Sequence, residues 1–186
     1  VVTTGATAWQ TGSRFGSALR GRTQTNGSDS SYCDTGRTRG LTGDFTLHWW
    51  MKERGTRPTN TEVDLFGASL RFRCYVDRVS LRIFGLARSP EGVFVTFVVR
   101  GLHAQWYING VKSGIGHTLK FIPSIPSHSR SWKIGMRSDS RRSSIWDIDE
   151  FRLYERAASP AEIMLWSRPT AAAGAFGTSC GITLGT

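Results

Sequence analysis

The chain has 186 residues, of which 39% are hydrophobic and 20% are charged. This length is enough for one domain with one substantial core. No stretch approaches the roughly 20 consecutive apolar residues that cross a bilayer, so we expect no membrane insertion. No positively charged start followed by an apolar run is visible, so the sequence shows no signal peptide.

The net charge is +10, from 24 Lys and Arg residues against 14 Asp and Glu, and 20 of the 24 are Arg. Arg binds sulfate, phosphate and carboxylate through its planar fork of donors. The charge therefore favours an acidic partner, either an acidic glycan or an acidic protein surface, although an ordinary solvated surface explains it equally well. The basic residues are dispersed and no nucleic-acid-binding motif is present, which argues against nucleic acid.

Alternating apolar residues predict a strand over 45–52. One face carries Phe45, Leu47, Trp49 and Met51, and the other carries Thr46, His48, Trp50 and Lys52. A flat ring beside a polar side chain suits a sugar, so Trp50 and His48 are candidate ligand-binding residues. The same face could instead pack against another layer of the protein.

Residues 68–76 and 79–84 predict two strands joined by the two-residue turn Asp77-Arg78. If these strands pair, one sheet face carries a basic patch. Its members complete the predicted ligand-binding set: Arg71, Arg73, Tyr75 and Arg82.

The second half of the chain predicts three further features. The near-continuous apolar run 94–99 favours a central strand that is covered on both faces. Asn109-Gly110 indicates a tight hairpin turn. After a strand ending near Tyr154, Ser159-Pro160 with Glu162 predicts a capped helix over 159–166.

Four segments, in chain order, resemble motifs of the laminin G-like, concanavalin A-like lectin/glucanase superfamily. They are 14–19 with Gly21, 45–52, 106–111 and 148–163. The resemblance spans about residues 14–166 and implies an all-β, two-sheet antiparallel jelly-roll sandwich with one short C-terminal helix near 159–166. We divide the chain into this sandwich, 1–168, and an uncharged C-terminal arm, 169–186, which is either a mobile terminus or a segment that orders against a surface.

Glucanases of this superfamily carry paired Glu residues around an Asp on one strand, and a retaining glycosidase needs two carboxyls about 5 Å apart. This chain offers Trp146-Asp147-Ile148-Asp149-Glu150, in which neither Glu spacing matches. The four His residues are isolated, and no G-x-S-x-G or phosphate-binding loop occurs. We therefore expect a protein that is not an enzyme.

Cys33, Cys74 and Cys180 show no C-x-x-C spacing, which argues against metal or dithiol chemistry. In a secreted protein one pair could bridge, for example Cys33 with Cys74, and buried thiols are the simpler alternative. Calcium is the one cofactor candidate, because members of the superfamily bind it at a sheet rim. Its candidate ligands are Asp139, Asp147 and Asp149, and otherwise no cofactor is expected.

The resemblance favours a non-catalytic binding or structural module at an extracellular location or on a virion surface. The first hypothesis is a decoration or attachment protein on a larger assembly, such as a phage virion. Such a protein could also form a homo-oligomer. The alternative is a free lectin that recognises acidic glycans, and a glucanase-type glycoside hydrolase ranks third. The fold alone does not decide between them.

Overall fold

The computed structural model describes residues 2–4, 9–13, 16–19, 32–53, 66–67, 92–119, 124–125, 127, 129, 131–134, 146–168 and 183–184. This part of the chain is almost entirely β-structure. Its strands are β1 (Val2–Thr4), β2 (Trp9–Ser13), β3 (Gly16–Leu19), β4 (Tyr32–Asp34), β5 (Leu41–Thr42), β6 (Phe45–Glu53), β7 (Phe66–Gly67), β8 (Val93–Arg100), β9 (His103–Ile108), β10 (Val111–Thr118), β11 (Ser124–Ile125), β12 (Lys133–Ile134), β13 (Trp146–Tyr154) and β14 (Thr183–Leu184). One helix, α1 (Pro160–Trp166), follows β13. The predicted hairpin over 68–84 lies outside the described residues.

The strands form a large sheet, a small sheet and an isolated pair. The large sheet has the order β10-β9-β8-β6-β13-β3-β2, and β14 pairs with β13 beside this path. The small sheet has the order β1-β4-β12-β7, and β5 pairs with β11. The expected all-β class with one short helix is confirmed for the described residues.

The pair formed by β13 and β14 is parallel, with Arg152 opposite Thr183 and Leu153 opposite Leu184. The other described pairs are antiparallel. The expectation of antiparallel pairing throughout is therefore wrong at this one place. The two residues responsible, Thr183 and Leu184, belong to the segment predicted as a separate arm, and they pair with β13 in the large sheet.

One hydrophobic cluster lies between the two larger sheets and makes the fold a β-sandwich. The small sheet contributes Cys33 and Ile134, and the large sheet contributes side chains such as Leu47 and Trp106. Phe97 and Trp106 lie 4.5 Å apart between ring centroids. The predicted central strand is confirmed, because β8 lies between β6 and β9 and is buried on both faces from Val93 to Val99.

The hairpin turn at Asn109-Gly110 is also confirmed. Both residues have positive φ, 50° and 81°, as a two-residue turn of the primed type requires. The Asn109 side chain accepts a hydrogen bond from the Phe94 amide at 2.9 Å, which ties the turn back to β8. A Cβ on Gly110 would lie 3.1 Å from the Met164 Cα, so the absence of a side chain lets α1 approach the turn.

A bulge in β13 changes which residues face the core. Asp149 lies opposite Trp50 and Arg152 lies opposite His48, so Glu150 and Phe151 together face the single residue Trp49. Glu150 adopts a φ of 51° as the extra residue. As a result Ile148 and Phe151 both reach the core despite their odd spacing in sequence.

Candidate functional site

The outer face of the large sheet is covered by α1 and by aromatic side chains. Ile163 is fully buried and packs with Val98, Tyr107 and Ala158. Trp166, at the end of α1, packs against Trp50 and Phe94. We call this surface the aromatic face, consisting of His48, Trp50, Phe94, Tyr154 and Trp166.

Stacked rings surround the imidazole of His48. Its centroid lies 5.0 Å from that of Trp166 and 5.6 Å from that of Tyr154, at interplanar angles of 28° and 22°. Phe94 approaches at 5.1 Å. Tyr154 and Trp166 also stack on each other, with centroids 4.7 Å apart. His48 is only 3% exposed.

Neither ring nitrogen of His48 hydrogen-bonds a described residue, and the same holds for the buried hydroxyl of Thr96. These two residues are direct neighbours across β6 and β8. Burial, with a smaller contribution from the Arg152 guanidinium, lowers the pKa of His48 from its ordinary value of 6.5 to about 3. At neutral pH the imidazole is therefore uncharged.

The predicted capping box of α1 is present. The Ser159 hydroxyl accepts from the Glu162 amide at 3.3 Å, and the Ser159 amide donates to the Glu162 carboxylate at 2.8 Å. Arg156 donates to the same carboxylate at 2.7 Å, and these bonds lower the pKa of Glu162 to about 2. Just before the helix, the Thr46 hydroxyl donates to the Arg156 carbonyl and accepts from the Ala158 amide.

The predicted ligand-binding residues do not form one exposed group in the described part of the chain. The structure brings His48 and Trp50 together on the aromatic face, but Trp50 is only 8% exposed. A pyranose could not stack on Trp50 while α1 is in place. Arg71, Arg73, Tyr75 and Arg82 lie outside the described residues, so the basic patch stays a prediction.

A second candidate region, which we call the arginine rim, consists of Arg37, Arg39, Ser127, Trp132 and Glu155. It lies where the loop 35–40 meets the segment that leads into β12 and the end of β13. The Arg37 guanidinium lies 4.9 Å from the Trp132 ring centroid and donates to Glu155 at 2.6 Å. The Arg39 guanidinium donates to the other oxygen of that carboxylate at 3.2 Å.

Hydrogen bonds hold this loop in place. The Thr35 amide donates to the Trp132 carbonyl at 3.0 Å, and the Trp132 amide donates to the Arg37 carbonyl at 2.8 Å. The Gly40 amide donates to the Ser127 hydroxyl at 3.0 Å. Arg37 is 10% exposed in its side chain, whereas Arg39 is 74% exposed. The rim thus holds Arg37 internally and presents Arg39 on a fixed backbone.

The rim combines two cations with one anion, so one positive charge is left over for an incoming ligand. A guanidinium has five N–H donors, and most of those on Arg39 remain outside its contact with Glu155. Such a group can bind a carboxylate or a sulfate. Elsewhere in the described residues, cationic and anionic side chains are nearly balanced, so most of the excess charge comes from the rest of the sequence.

The described residues contain no group of three or more His, Cys, Asp or Glu side chains that could hold a metal ion. Of the candidate calcium ligands, Asp147 and Asp149 lie on β13 and are partly buried, and Asp139 lies outside the described part.

Cys33 is fully buried and disulfide-bonded. The helix in the described part is seven residues long, and no described helix has the length and hydropathy to cross a membrane.

Sequence reasoning did not identify the arginine rim, because its members come from three separate parts of the chain. The local signal was the segment Thr35-Gly36-Arg37-Thr38-Arg39-Gly40, in which two Arg alternate between glycines. That pattern indicates an exposed basic loop. It does not indicate that one Arg would turn inward onto Trp132 and the other outward.

No model of a known protein family matches the chain, and no curated protein sequence matches it. Solved structures of Trypanosoma rangeli sialidase do align with it. The structure in complex with the inhibitor DANA aligns with a TM-score of 0.48 and 14% identity, over 82% of this chain and 27% of the sialidase. The complex with 2,3-difluoro-KDN gives a TM-score of 0.43 and 11% identity over the same shares.

A third sialidase structure aligns with a TM-score of 0.44 and 13% identity. The chain therefore spans about a quarter of the length of the protein that it matches. The expectation that this chain is not an enzyme is contradicted here, because all three of these structures are of an enzyme, and we do not carry it further. The alignments are a similarity to part of a sialidase.

Proposed function

We propose that the chain is a jelly-roll sandwich of the concanavalin A-like class that binds acidic glycans, with the arginine rim as its contact. The observation that supports this most directly is the contrast between the two Arg residues of the loop 35–40. Arg37 is used to hold the loop, and Arg39 is left exposed on it. A cation on a fixed backbone loses only side-chain freedom when it binds an anion, because its backbone is already ordered.

The position of the rim agrees with this function. Loops supported by a rigid β-scaffold are where such folds place their binding residues. The exposed Ser127 bonds the amide of Gly40, next to Arg39, and its hydroxyl is a group that can contact a sugar. The disulfide at Cys33 agrees with an extracellular location, because disulfides persist in oxidising compartments.

Binding to three immobilised polysaccharides tests the proposal: heparin as the sulfated probe, polygalacturonate as the carboxylated probe and dextran as the neutral control. We expect binding to one or both acidic probes, weaker at higher salt because exposed charges are screened beyond about 8 Å at physiological ionic strength. Arg39→Ala should weaken it about tenfold. Arg168→Ala, an exposed cation at the end of α1, is the matched control.

Equal binding by the wild-type chain and the Arg39→Ala variant would exclude the rim. An Arg71→Ala/Arg73→Ala variant, compared in the same experiment, asks whether the basic patch predicted from sequence is the contact instead. Binding to dextran as strong as to the acidic probes would contradict an acidic ligand altogether.

A second function, attachment to a larger protein assembly such as a virion, is favoured by a separate observation. Val111, Met164 and Leu165 are 64%, 48% and 62% exposed, and Gly110 packs directly against Met164. Exposed apolar side chains near one another on a surface are typical of protein contacts, and Gly110 brings the strand that begins at Val111 close to α1. Sedimentation of the wild-type chain and a Val111→Ser/Leu165→Ser variant tests this: an assembly function predicts self-association or partner binding that the variant loses.

A further inference from the structure

We propose that α1 is an acid-released cover: uptake of a proton by His48 detaches Trp166 and exposes the aromatic face of the large sheet. The inference is independent of the proposed glycan contact, because the arginine rim shares no residue with the aromatic face. It rests on how His48 is enclosed, on how weakly α1 is anchored, and on how firmly β6 is held.

The surroundings of His48 accept a neutral ring and oppose a charged one. Phe94, Tyr154 and Trp166 enclose the imidazole at centroid distances of 5.0 to 5.6 Å. Neither of its nitrogens hydrogen-bonds a described residue. A buried cation without a partner costs far more than a buried neutral ring. Once protonated, His48 gains most by reaching water.

Among the described residues, the charged and titratable groups near His48 give a protonated ring no compensating partner. From β13, Arg152 lies directly opposite His48 and is ion-paired with Glu150, so the nearest charge is positive. From β8 and β9 the neighbours are Thr96 and Tyr107. From the connection to α1, Arg156 lies 5.6 Å from the Tyr154 ring.

Within α1 itself, the carboxylate is Glu162, which is already held by Arg156. Asp149, which is paired across the sheet with Trp50, has an interaction of its own. Neither carboxylate is therefore left to neutralise a charged His48. Release into solvent is the remaining way to stabilise the protonated ring.

The helix is the part of this enclosure that can open. It has seven residues and buries one of them, Ile163, while Met164 and Leu165 are largely exposed. By contrast, β6 pairs over seven residues with each of β8 and β13. Exposing His48 by moving β6 would therefore break the hydrogen bonds of the large sheet. Thr46 holds Arg156 and Ala158 just before α1, which makes that point the natural pivot.

The pH window follows from linkage. The folded-state pKa of His48, about 3, is below its ordinary value of 6.5. The open state therefore binds more protons between these values, so the closed state is fully favoured above pH 6.5 and loses stability as the pH falls below it. Between pH 6.5 and pH 4.5, the opening equilibrium of α1 should rise roughly 50-fold.

Amide hydrogen exchange measured by NMR at pH 6.5 and pH 4.5, corrected for intrinsic rates, tests this. We expect the amides of Ile163 and Ser167, which bond within α1, to lose protection by that factor. The amides of β6 and β8 should not follow. His48→Phe keeps an aromatic ring in the cluster and should abolish the pH dependence. Glu162→Gln should speed exchange at both pH values and leave the ratio intact, because the pKa of Glu162 lies below this window.

Three results would overturn the proposal. The first is an α1 whose protection is unchanged between pH 6.5 and pH 4.5. The second is a loss of protection in α1 and β6 together, which would show that protonation unfolds the whole domain. The third is a pH dependence that persists in His48→Phe. Should that variant fail to fold, a titration of the His48 ring carbons in the wild-type chain decides, since a ring that titrates near pH 6.5 is not enclosed.

Discussion

The aromatic face and the arginine rim belong to one sandwich, yet they use large side chains in opposite ways. On the aromatic face, rings and an uncharged His48 exclude water, and a short helix closes over them. On the rim, a ring serves as a support: Trp132 is fully buried beneath Arg37, and the loop above it remains open to solvent. The contrast shows that a large aromatic side chain can close one surface of the sandwich and support an exposed polar loop at another.

The two regions should differ most in what they contribute to stability. Phe94 is 1% exposed and contacts the rings of both His48 and Trp50. We expect Phe94→Ala to lower the free energy of unfolding by about 3–5 kcal/mol, because it removes a large buried ring and leaves a cavity. Urea unfolding measures this, with the half-exposed Leu102→Ala as a control that should cost less than about 0.5 kcal/mol. A cost below about 1 kcal/mol for Phe94→Ala would mean that the cover does not pack as described.

The disulfide at Cys33 should stabilise both regions together, because Cys33 belongs to the core on which they rest. Reduction should lower the free energy of unfolding by about 2–4 kcal/mol. Mass spectrometry of a non-reduced digest should recover the Cys33 peptide linked to a second cysteine. A free Cys33 thiol in the purified protein would contradict this bond.

Within the rim, Arg37 and Arg39 should behave differently. Arg37→Ala removes the contacts with Trp132 and Glu155 from a nearly buried position, so we expect a loss of about 1–3 kcal/mol in the free energy of unfolding. Arg39→Ala should cost less than about 0.5 kcal/mol, as exposed ion pairs contribute little. Thermal unfolding of both variants gives the comparison. Equal losses of unfolding free energy would contradict the view that Arg37 supports the loop whereas Arg39 does not.

The last prediction concerns the cap of α1, where we expect a loss at the low end of the range given for Arg37→Ala. Ser159→Ala should cost about 1 kcal/mol, because it removes the oxygen that accepts from the Glu162 amide. The folded-state pKa of Glu162, about 2, is below its ordinary 4.5, so its contribution is present above pH 4.5 and is lost as the pH falls toward 2. In a His48→Phe background, the helical circular dichroism signal should weaken only in that lower range. If the helical signal were already lost at pH 5, protonation of Glu162 could not be the cause.

Local sequence rules were sufficient wherever one short segment holds all the interacting groups. The capping box of α1 lies within four residues, from Ser159 to Glu162, and the turn at Asn109-Gly110 within two. The apolar run of β8 also predicts that the strand is buried, because a strand that is apolar on both faces is stable only when both faces are covered. Each of these features is confirmed for that reason.

Tertiary structure alone decided what covers each surface. The alternation in β6 places His48 and Trp50 on one face, but it does not show that α1, more than 100 residues later, buries them. The bulge at Glu150 restores the inward direction of Phe151, which a regular strand would have lost. The arginine rim arises from a loop, a Trp and a Glu that are distant in sequence. Periodicity fixes the direction in which a side chain points, whereas its exposure depends on which distant segment packs over it.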